Sequence, residues 1–221
     1  LFDDIVKAYR NAIIDTDRDA ALRTVADALT KGVTPEEIVF RVVIPTIDAM
    51  LQSVCDELGS SLAQHFMTAQ ISEEVVSQMV PKFEDASHPI GHVVLGTSHG
   101  DFHGLGKTIV AGCLRARMIA VTDLGLSVAA EAFVNKALEN SAEVIGISSM
   151  MVHTARCENG CLKVRQILRE RGLERRIKVI VGGAPYRFDE SLYRTVGADA
   201  WADNAMAAGK AVIGLFREVQ G

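Results

Sequence analysis

The sequence predicts an α/β doubly wound parallel sheet preceded by a small all-α helical bundle. Two observations carry that reading. Up to about residue 85, apolar residues recur at three- and four-residue steps, the period of an amphipathic helix. From residue 91, short β-rich runs alternate with helical stretches, the pattern of parallel strands covered on both faces. "ASHPI", residues 86–90, reads as a linker, so the expected domains are 1–85 and 91–221.

In the first part, "FDDIVKAYRNAII" places Phe2, Ile5, Val6, Tyr9 and Ile13 on one helical face. "DRDAALRTVADALTKG" repeats the pattern and ends on Gly32, a residue type suited to the position after a helix. Thr34, Pro35 and Glu37 then restart a helix with an N-cap, a proline in the first turn and the partner of a capping box. Pro45 lacks an amide hydrogen, which predicts a break or kink and a new helix over Pro45–Leu58. Gly59 and Ser60 separate it from a last helix, Ser61 to about Val80. The whole is a small helical bundle with Met50, Phe66 and Met67 in its core.

In the second part the strands are "HVVLG", "MIAVTDLG", "EVIGISS", "KVIVGG" and a short fifth, "DAWAD". The intervening helices are Gly106–Arg115, Ala130–Asn140, about Cys157–Arg171, about Asp189–Val196 and Ala205–Val219. Right-handed crossovers give a doubly wound sheet. Ligands bind such a sheet beyond the carboxyl ends of its strands. The loops at that edge are Thr97–Leu105, Ser149–Thr154, Gly182–Tyr186 and Asp203–Asn204.

Composition narrows the class. The chain has 221 residues, 48% of them hydrophobic, and a net charge of -5. Mild acidity argues against a nucleic-acid protein, whose usual footprint is basic. No run approaches the ~20 apolar residues of a membrane span, and no signal-peptide pattern opens the sequence. Cys55, Cys113, Cys157 and Cys161 are scattered through helical patterns, which predicts a reduced, cytoplasmic protein.

The densest chemistry lies in "TSHGDFHGLGKT", residues 97–108. A Walker loop, G-x-x-x-x-G-K-[ST], would end at Gly106-Lys107-Thr108, but Asp101 occupies its first glycine position, where a carboxylate repels phosphate. The dinucleotide pattern G-x-G-x-x-G fails at Ile109. A metal fits better. His103 lies just past a strand in a glycine-rich loop, and Asp101 can accept the proton of one imidazole nitrogen, leaving the other free. A bare zinc site wants three or four ligands. A metal already held by a macrocycle needs only one axial ligand.

"GDFHGLG" matches the D-x-H-x-x-G signature of cobalamin-binding domains of the methionine-synthase type, and the resemblance extends over nearly the whole chain. "VTDLGLSVAAEAFV" resembles the family's second strand and helix, "IGISSMM" its S-x-L element, "VGGAP" its Gly-Gly element and "VGADAWADNA" its closing stretch. "KGVTPEEIVFRVVIPTIDAM" and "HFMTAQ" resemble its helical cap. The chain departs from the pattern at Met150 for leucine, Ala129-Ala130 for Pro-Pro and Ala200-Trp201 for Gly-Tyr. It also lacks the Phe-Leu-Pro that usually precedes the last cap helix.

The resemblance implies a flavodoxin-like, Rossmann-type fold and a site. His103 would be the lower axial cobalt ligand, Asp101 would bond its other nitrogen, and Thr154 would extend that relay. Ser148 would bond the buried nucleotide tail of the cofactor. Gly182 and Gly183 would let the tail thread between strands. Gly104 and Gly106 would let the corrin ring lie on the loop, with Phe102 and Met150 among the cofactor-binding positions. The implied function is a methyl carrier, loaded as methylcobalamin, with no catalytic residues of its own. It would serve a methyl-donor:corrinoid methyltransferase, a corrinoid:acceptor methyltransferase acting on tetrahydrofolate or a thiol, and a reductive activator. The bundle would cap the methyl face and swing away for each partner. Two other readings stay open: the cobalamin subunit of an adenosylcobalamin-dependent mutase, and a cobalamin-sensing regulator.

Other features have simpler readings. His99 precedes the motif and is a secondary candidate for touching the ligand. His153, Cys157 and Cys161 fall at i, i+4 and i+8, one stripe of a helix that packing explains and that zinc or copper could use. "KVRQILRERGLERRIK" reads as a solvated basic helix face, with docking to an acidic partner as the alternative.

Overall fold

The computed structural model describes residues 2–47, 49, 62–83 and 89–220. The chain falls into two compact units, Leu1–His88 with Arg115–Met118, and Pro89–Leu114 with Ile119–Gly221.

The first unit is helical. α1, Phe2–Ile14, buries Ile5, Tyr9, Ala12 and Ile13, which recur at helical spacing. Its Phe2 ring lies under the Arg41 guanidinium, 3.6 Å from the cation carbon. α2, Arg18–Thr30, starts where Asp17 accepts the Ala20 N–H at 2.9 Å, and stops before Gly32, whose φ of +85° ends the helix. Thr34 Oγ1 accepts the Glu37 N–H and Glu37 Oε2 accepts the Thr34 N–H, both at 3.2 Å, so the expected capping box is formed. Thr34→Ala should therefore lower stability by about 1 kcal/mol, read from a urea unfolding midpoint.

Pro45 behaves differently from expectation. α3 begins at Pro35–Glu37, widens into π-helical turns over Ile38–Val43, and continues through residue 47 without a break. In an α-helix the Pro45 ring would meet the carbonyl four residues back. In the widened turns the amide of Ile44 bonds the carbonyl of Val39, five residues back. Proline re-spaces this helix instead of ending it. Apart from Ala49, which is helical, the remainder of the predicted Pro45–Leu58 helix, with Met50 and Cys55, and also Gly59, Ser60 and Ser61, lies outside the described residues, as do linker residues 86–88. α4, Leu62–Met79, runs on into a 3-10 turn at Val80–Lys82; Ile71, Val75 and Met79 are buried along it, while Phe66 and Met67 are half-buried.

The second unit is a five-stranded, all-parallel sheet in the order β2-β1-β3-β4-β5. Its strands are β1 His92–Thr97, β2 Ala120–Asp123, β3 Val144–Ser148, β4 Lys178–Gly182 and β5 Ala200–Ala202. Strand alternation sorts side chains onto two faces. Val94, Ile145, Ile147, Val179 and Val181 pack with Phe133 and Val134 of α6 (Ala130–Glu139) and Val164, Ile167 and Leu168 of α8 (Lys163–Glu170). Val93, Leu95, Val144 and Ile180 pack with Leu114 of α5 (Leu105–Arg115) and Val212, Leu215 and Phe216 of α11 (Ala205–Gln220). The chain leaves β1 for β2 on one side, then crosses back to β3 on the other. The topological switch, where ligands bind such sheets, therefore lies between the loops that follow β1 and β3.

Two expected elements are corrected. The helix expected over about Cys157–Arg171 is divided. α7 is only Val152–Ala155, Cys157 is extended, and Gly160 has non-helical torsions, φ -95° and ψ -133°. A side chain on Gly160 would start 2.6 Å from Ser98 Oγ, so the backbone itself fills this space. His153, Cys157 and Cys161 consequently do not share a helical stripe, and Cys161 is a buried thiol that burial pushes up to about 12. The loop expected over Gly182–Tyr186 contains a short helix, α9 (Ala184–Phe188), and α10 (Leu192–Thr195) follows it. No helix among the described residues is long and apolar enough to cross a membrane.

Candidate functional site

Parallel register places Thr97, Ser148, Gly182 and Ala202 in one row across the carboxyl edge of β1, β3, β4 and β5. The loop leaving Thr97 is folded by that edge. The buried Thr97 hydroxyl donates to the Asp101 carbonyl at 2.6 Å and accepts the Ser127 N–H at 2.7 Å. Ser98 donates its N–H to the Ser148 carbonyl at 2.9 Å and its hydroxyl to the Thr154 carbonyl at 2.8 Å. Gly100, at φ +76°, turns the chain, and its N–H donates to Ser127 Oγ at 3.0 Å. The result is a loop that carries the Asp101 carboxylate inward.

That carboxylate is fully buried. Oδ1 accepts the His103 N–H at 3.0 Å and His103 Nδ1–H at 2.9 Å. Oδ2 accepts the Met150 N–H at 2.7 Å and the Thr154 hydroxyl at 2.6 Å. Burial alone would raise its pKa. The Thr154 hydroxyl, the backbone N–H groups of His103 and Met150 and the His103 ring overcome burial and hold the carboxyl at about 2. An ionised carboxylate only accepts, so His103 Nδ1 carries a proton, and in the neutral ring Nε2 is the nitrogen with the lone pair. The His103 side chain is 58% exposed. One imidazole thus stands at the sheet edge with its tautomer fixed and its donor nitrogen presented outward, the arrangement of a metal-binding histidine with a carboxylate behind it.

The ground around His103 is open and apolar. Phe102 is 71% exposed, and Leu105, Leu126, Met150, Met151 and Val152 are exposed on the loops after β1, β2 and β3. Such grouping on a folded surface marks a binding face. A Cβ at Gly106 would meet nothing within 4 Å, and one at Gly104 would press on Leu126 at 3.0 Å. Ser148 is half-buried and has no side-chain hydrogen bond among the described residues. Ser149 Oγ and Tyr186 Oη are buried without a well-formed hydrogen bond among the described residues. A flat, largely apolar ligand that brings its own equatorial donors and a polar tail fits this ground; a tetrahedral zinc ion, wanting three more side chains, does not.

The structure thus brings Asp101, His103, Met150 and Thr154 into one network and sets Phe102, Gly104 and Gly106 beside it. Ser148, Gly182 and Gly183 line the neighbouring strand ends. Gly183 also answers to the fold itself: at φ +116°, its added Cβ would lie 2.0 Å from the Ser149 carbonyl oxygen. Lys107, the residue that suggested a phosphate loop, is buried in an ion pair with Asp123 and faces no open anion site. His99 contributes its carbonyl to Cys157 Sγ at 3.8 Å. Thr97, Ser98, Leu126, Ser127 and Met151 were not singled out by the sequence. For all but Met151, the signals that could have found them are the Thr97-Ser98 hydroxyl pair where β1 ends and the apolar-hydroxyl pair of "LGLS" after β2.

A doubly wound parallel sheet with an exposed, carboxylate-backed imidazole at its switch point defines a cofactor-binding α/β domain. Residues 91–209 match the family model described as the B12 binding domain. Trimethylamine corrinoid protein 1 of Methanosarcina acetivorans is 31% identical over 209 residues, covering 92% of this chain and 93% of its own. Dimethylamine corrinoid protein 3 of the same organism is 33% identical over 203 residues, covering 90% of each. The chain belongs to the B12-binding family, among the corrinoid proteins, and its cofactor is cobalamin. Among solved structures, a cobalamin-binding protein from Desulfitobacterium hafniense superposes with a TM-score of 0.77 at 23% identity, over 95% of this chain and 98% of that one. The methanol:cobalamin methyltransferase complex MtaBC of Methanosarcina barkeri gives 0.76 at 21% identity, over 97% and 80%. Both share the fold.

Proposed function

We propose that this protein carries a methyl group on cobalt between two enzymes: a methyl-donor:corrinoid methyltransferase that loads it and a corrinoid:acceptor methyltransferase that unloads it to tetrahydrofolate or a thiol. A reductive activator restores the carrier after oxidation, and all four proteins work in the cytoplasm. The relatives named for trimethylamine and dimethylamine support a small methylated amine as the donor class. The observation that carries the reading is the buried Asp101 carboxylate on His103 Nδ1, which leaves Nε2 free to point at a metal.

Cobalamin, when bound, supplies a cobalt centre that accepts and gives up the methyl group. The chain does the rest. His103 Nε2 would hold the cobalt. Asp101 fixes the imidazole's tautomer and direction, and Thr154 and the Met150 amide hold Asp101 in turn. Phe102 and Met150 offer apolar ground to the ring, and Gly104 and Gly106 keep that ground clear. The Ser148 hydroxyl would bond the cofactor tail, and Gly182 and Gly183 would leave room for it at the strand ends. The helical unit has the cap role. Residues 1–85, 86–90 and 91–221 form the functional division of the chain.

Histidine-¹⁵N protein, reconstituted with hydroxocobalamin and reduced to the cob(II) state, tests the ligand. Paramagnetic resonance should show coupling to a protein nitrogen, and His103→Ala should abolish it while the sheet unit stays folded. Coupling to the cofactor's own benzimidazole in the wild type would sink the assignment.

A further inference from the structure

We infer that the ion pair of buried Lys107 with the partly exposed Asp123 is a second anchor of the His103 loop, and that it positions the imidazole from the side opposite Asp101. The inference rests on His103 being the cobalt ligand. β1 is the strand between β2 and β3. On the β3 side, Asp101 ties the rising arm of the loop to Met150 and Thr154. The descending arm runs through Gly104, whose carbonyl accepts the Thr108 N–H at 3.0 Å, into the first turn of α5. There Lys107 reaches the end of β2 and bonds both carboxylate oxygens of Asp123. Asp123 Oδ1 also accepts the Gly125 N–H at 2.8 Å. The turn so made returns Leu126 to within 3.0 Å of the Cβ position of Gly104, the residue after His103. His103 is therefore flanked by two tied carboxylates, Asp101 of its own loop, bonded to the loop after β3, and Asp123 at the end of β2.

Helix stability does not account for Lys107. Its side chain is 5% exposed, and lysine is seldom so buried. It also places a cation in the first turn of a helix, where the macrodipole disfavours positive charge. At the buried Lys107 end, a tie that only stabilised the fold could be replaced by an apolar side chain with little loss. What apolar packing cannot supply is a directional tie from the helix start to the β2 loop.

Lys107→Met keeps the length and the apolar stem and removes the tie. The test is the fraction of cob(II) signal coupled to protein histidine nitrogen, in wild type and variant reconstituted with hydroxocobalamin to equal cobalamin content. In the variant the ratio of unligated to histidine-ligated cobalt should rise roughly tenfold, the size expected for loss of a partner behind a metal ligand. Equal ratios in a wild type that shows the coupling would overturn the anchor alone. A wild type without protein coupling would overturn the ligand assignment and the anchor with it. Should circular dichroism show Lys107→Met to be unfolded, Asp123→Asn, which keeps the side-chain shape and loosens the tie from the β2 side, carries the same comparison.

Discussion

Replacing Gly183 with alanine should cost the sheet unit at least about 3 kcal/mol. The residue joins β4 to α9 at φ +116°, where a Cβ is strained whatever the space around it, and that Cβ would sit 2.0 Å from the Ser149 carbonyl oxygen. Backbone on both sides means that neither partner can rotate away. Urea unfolding of the cofactor-free protein measures the loss; an unchanged midpoint would show that the β4–α9 junction relaxes freely. Gly106→Ala makes the informative contrast. Nothing lies within 4 Å of its Cβ position, and it sits in the first turn of α5. Alanine there should leave stability equal or raise it by up to about 1 kcal/mol, while reducing cobalamin loading, because the added methyl stands on the ground assigned to the ring. The pair separates a glycine kept for the fold from one kept for the ligand.

Asp101→Asn should remove most of the acid sensitivity of the sheet unit. Buried Asp101 would be raised by desolvation, but its four hydrogen bonds hold it at about 2, below the ordinary carboxyl value near ~3.9. A depressed carboxyl contributes stability that is fully present above its unfolded value and is lost as pH falls through its folded value. The window is therefore from about pH 4 down to about pH 2, and the contribution is about 2.5 kcal/mol. Asparagine has no such titration. It also turns amide hydrogens toward the Met150 N–H and the Thr154 hydroxyl, and an unmet buried donor costs about 1–3 kcal/mol. The variant should be less stable at pH 7 and flatter between pH 4 and 2. Urea midpoints of both cofactor-free proteins across that range provide the check, and parallel slopes would show that Asp101 does not carry the acid sensitivity.

The periodic elements were legible because burial writes them. Val93 to Leu95, Val144 to Ile147 and Val179 to Val181 are covered on both faces, so the strands appear as unbroken apolar runs. The Thr34–Glu37 box was legible because both partners lie within one turn. Asp101 and His103 were legible for the same reason, two residues apart on one loop; Thr154 entered only through resemblance, since its bond to Asp101 spans 53 positions. What stayed hidden depends on space. Gly160 breaks the helix because Ser98, from a distant loop, fills the room of a side chain. Pro45 reads as a stop by its own chemistry, yet the turns before it open wide enough to carry the helix through. Lys107 suggested phosphate because its partner, Asp123, belongs to another strand.

The span of the Asp101 bonds has a consequence for how the protein is made. Met150 and Thr154 lie 49 and 53 positions beyond it, and both reach it only after β3 has paired with β1. Contacts that close such long loops form late, after local structure. A chain emerging during synthesis presents Asp101 and His103 long before their supports, so the imidazole has no fixed direction until residue 154 has docked. The metal-ready histidine therefore waits for the pairing of β1 with β3 and not for its own loop alone. Histidine ligation becomes a report on a closed β1–β3 pair, and the bound cofactor in turn draws the folding equilibrium toward that state.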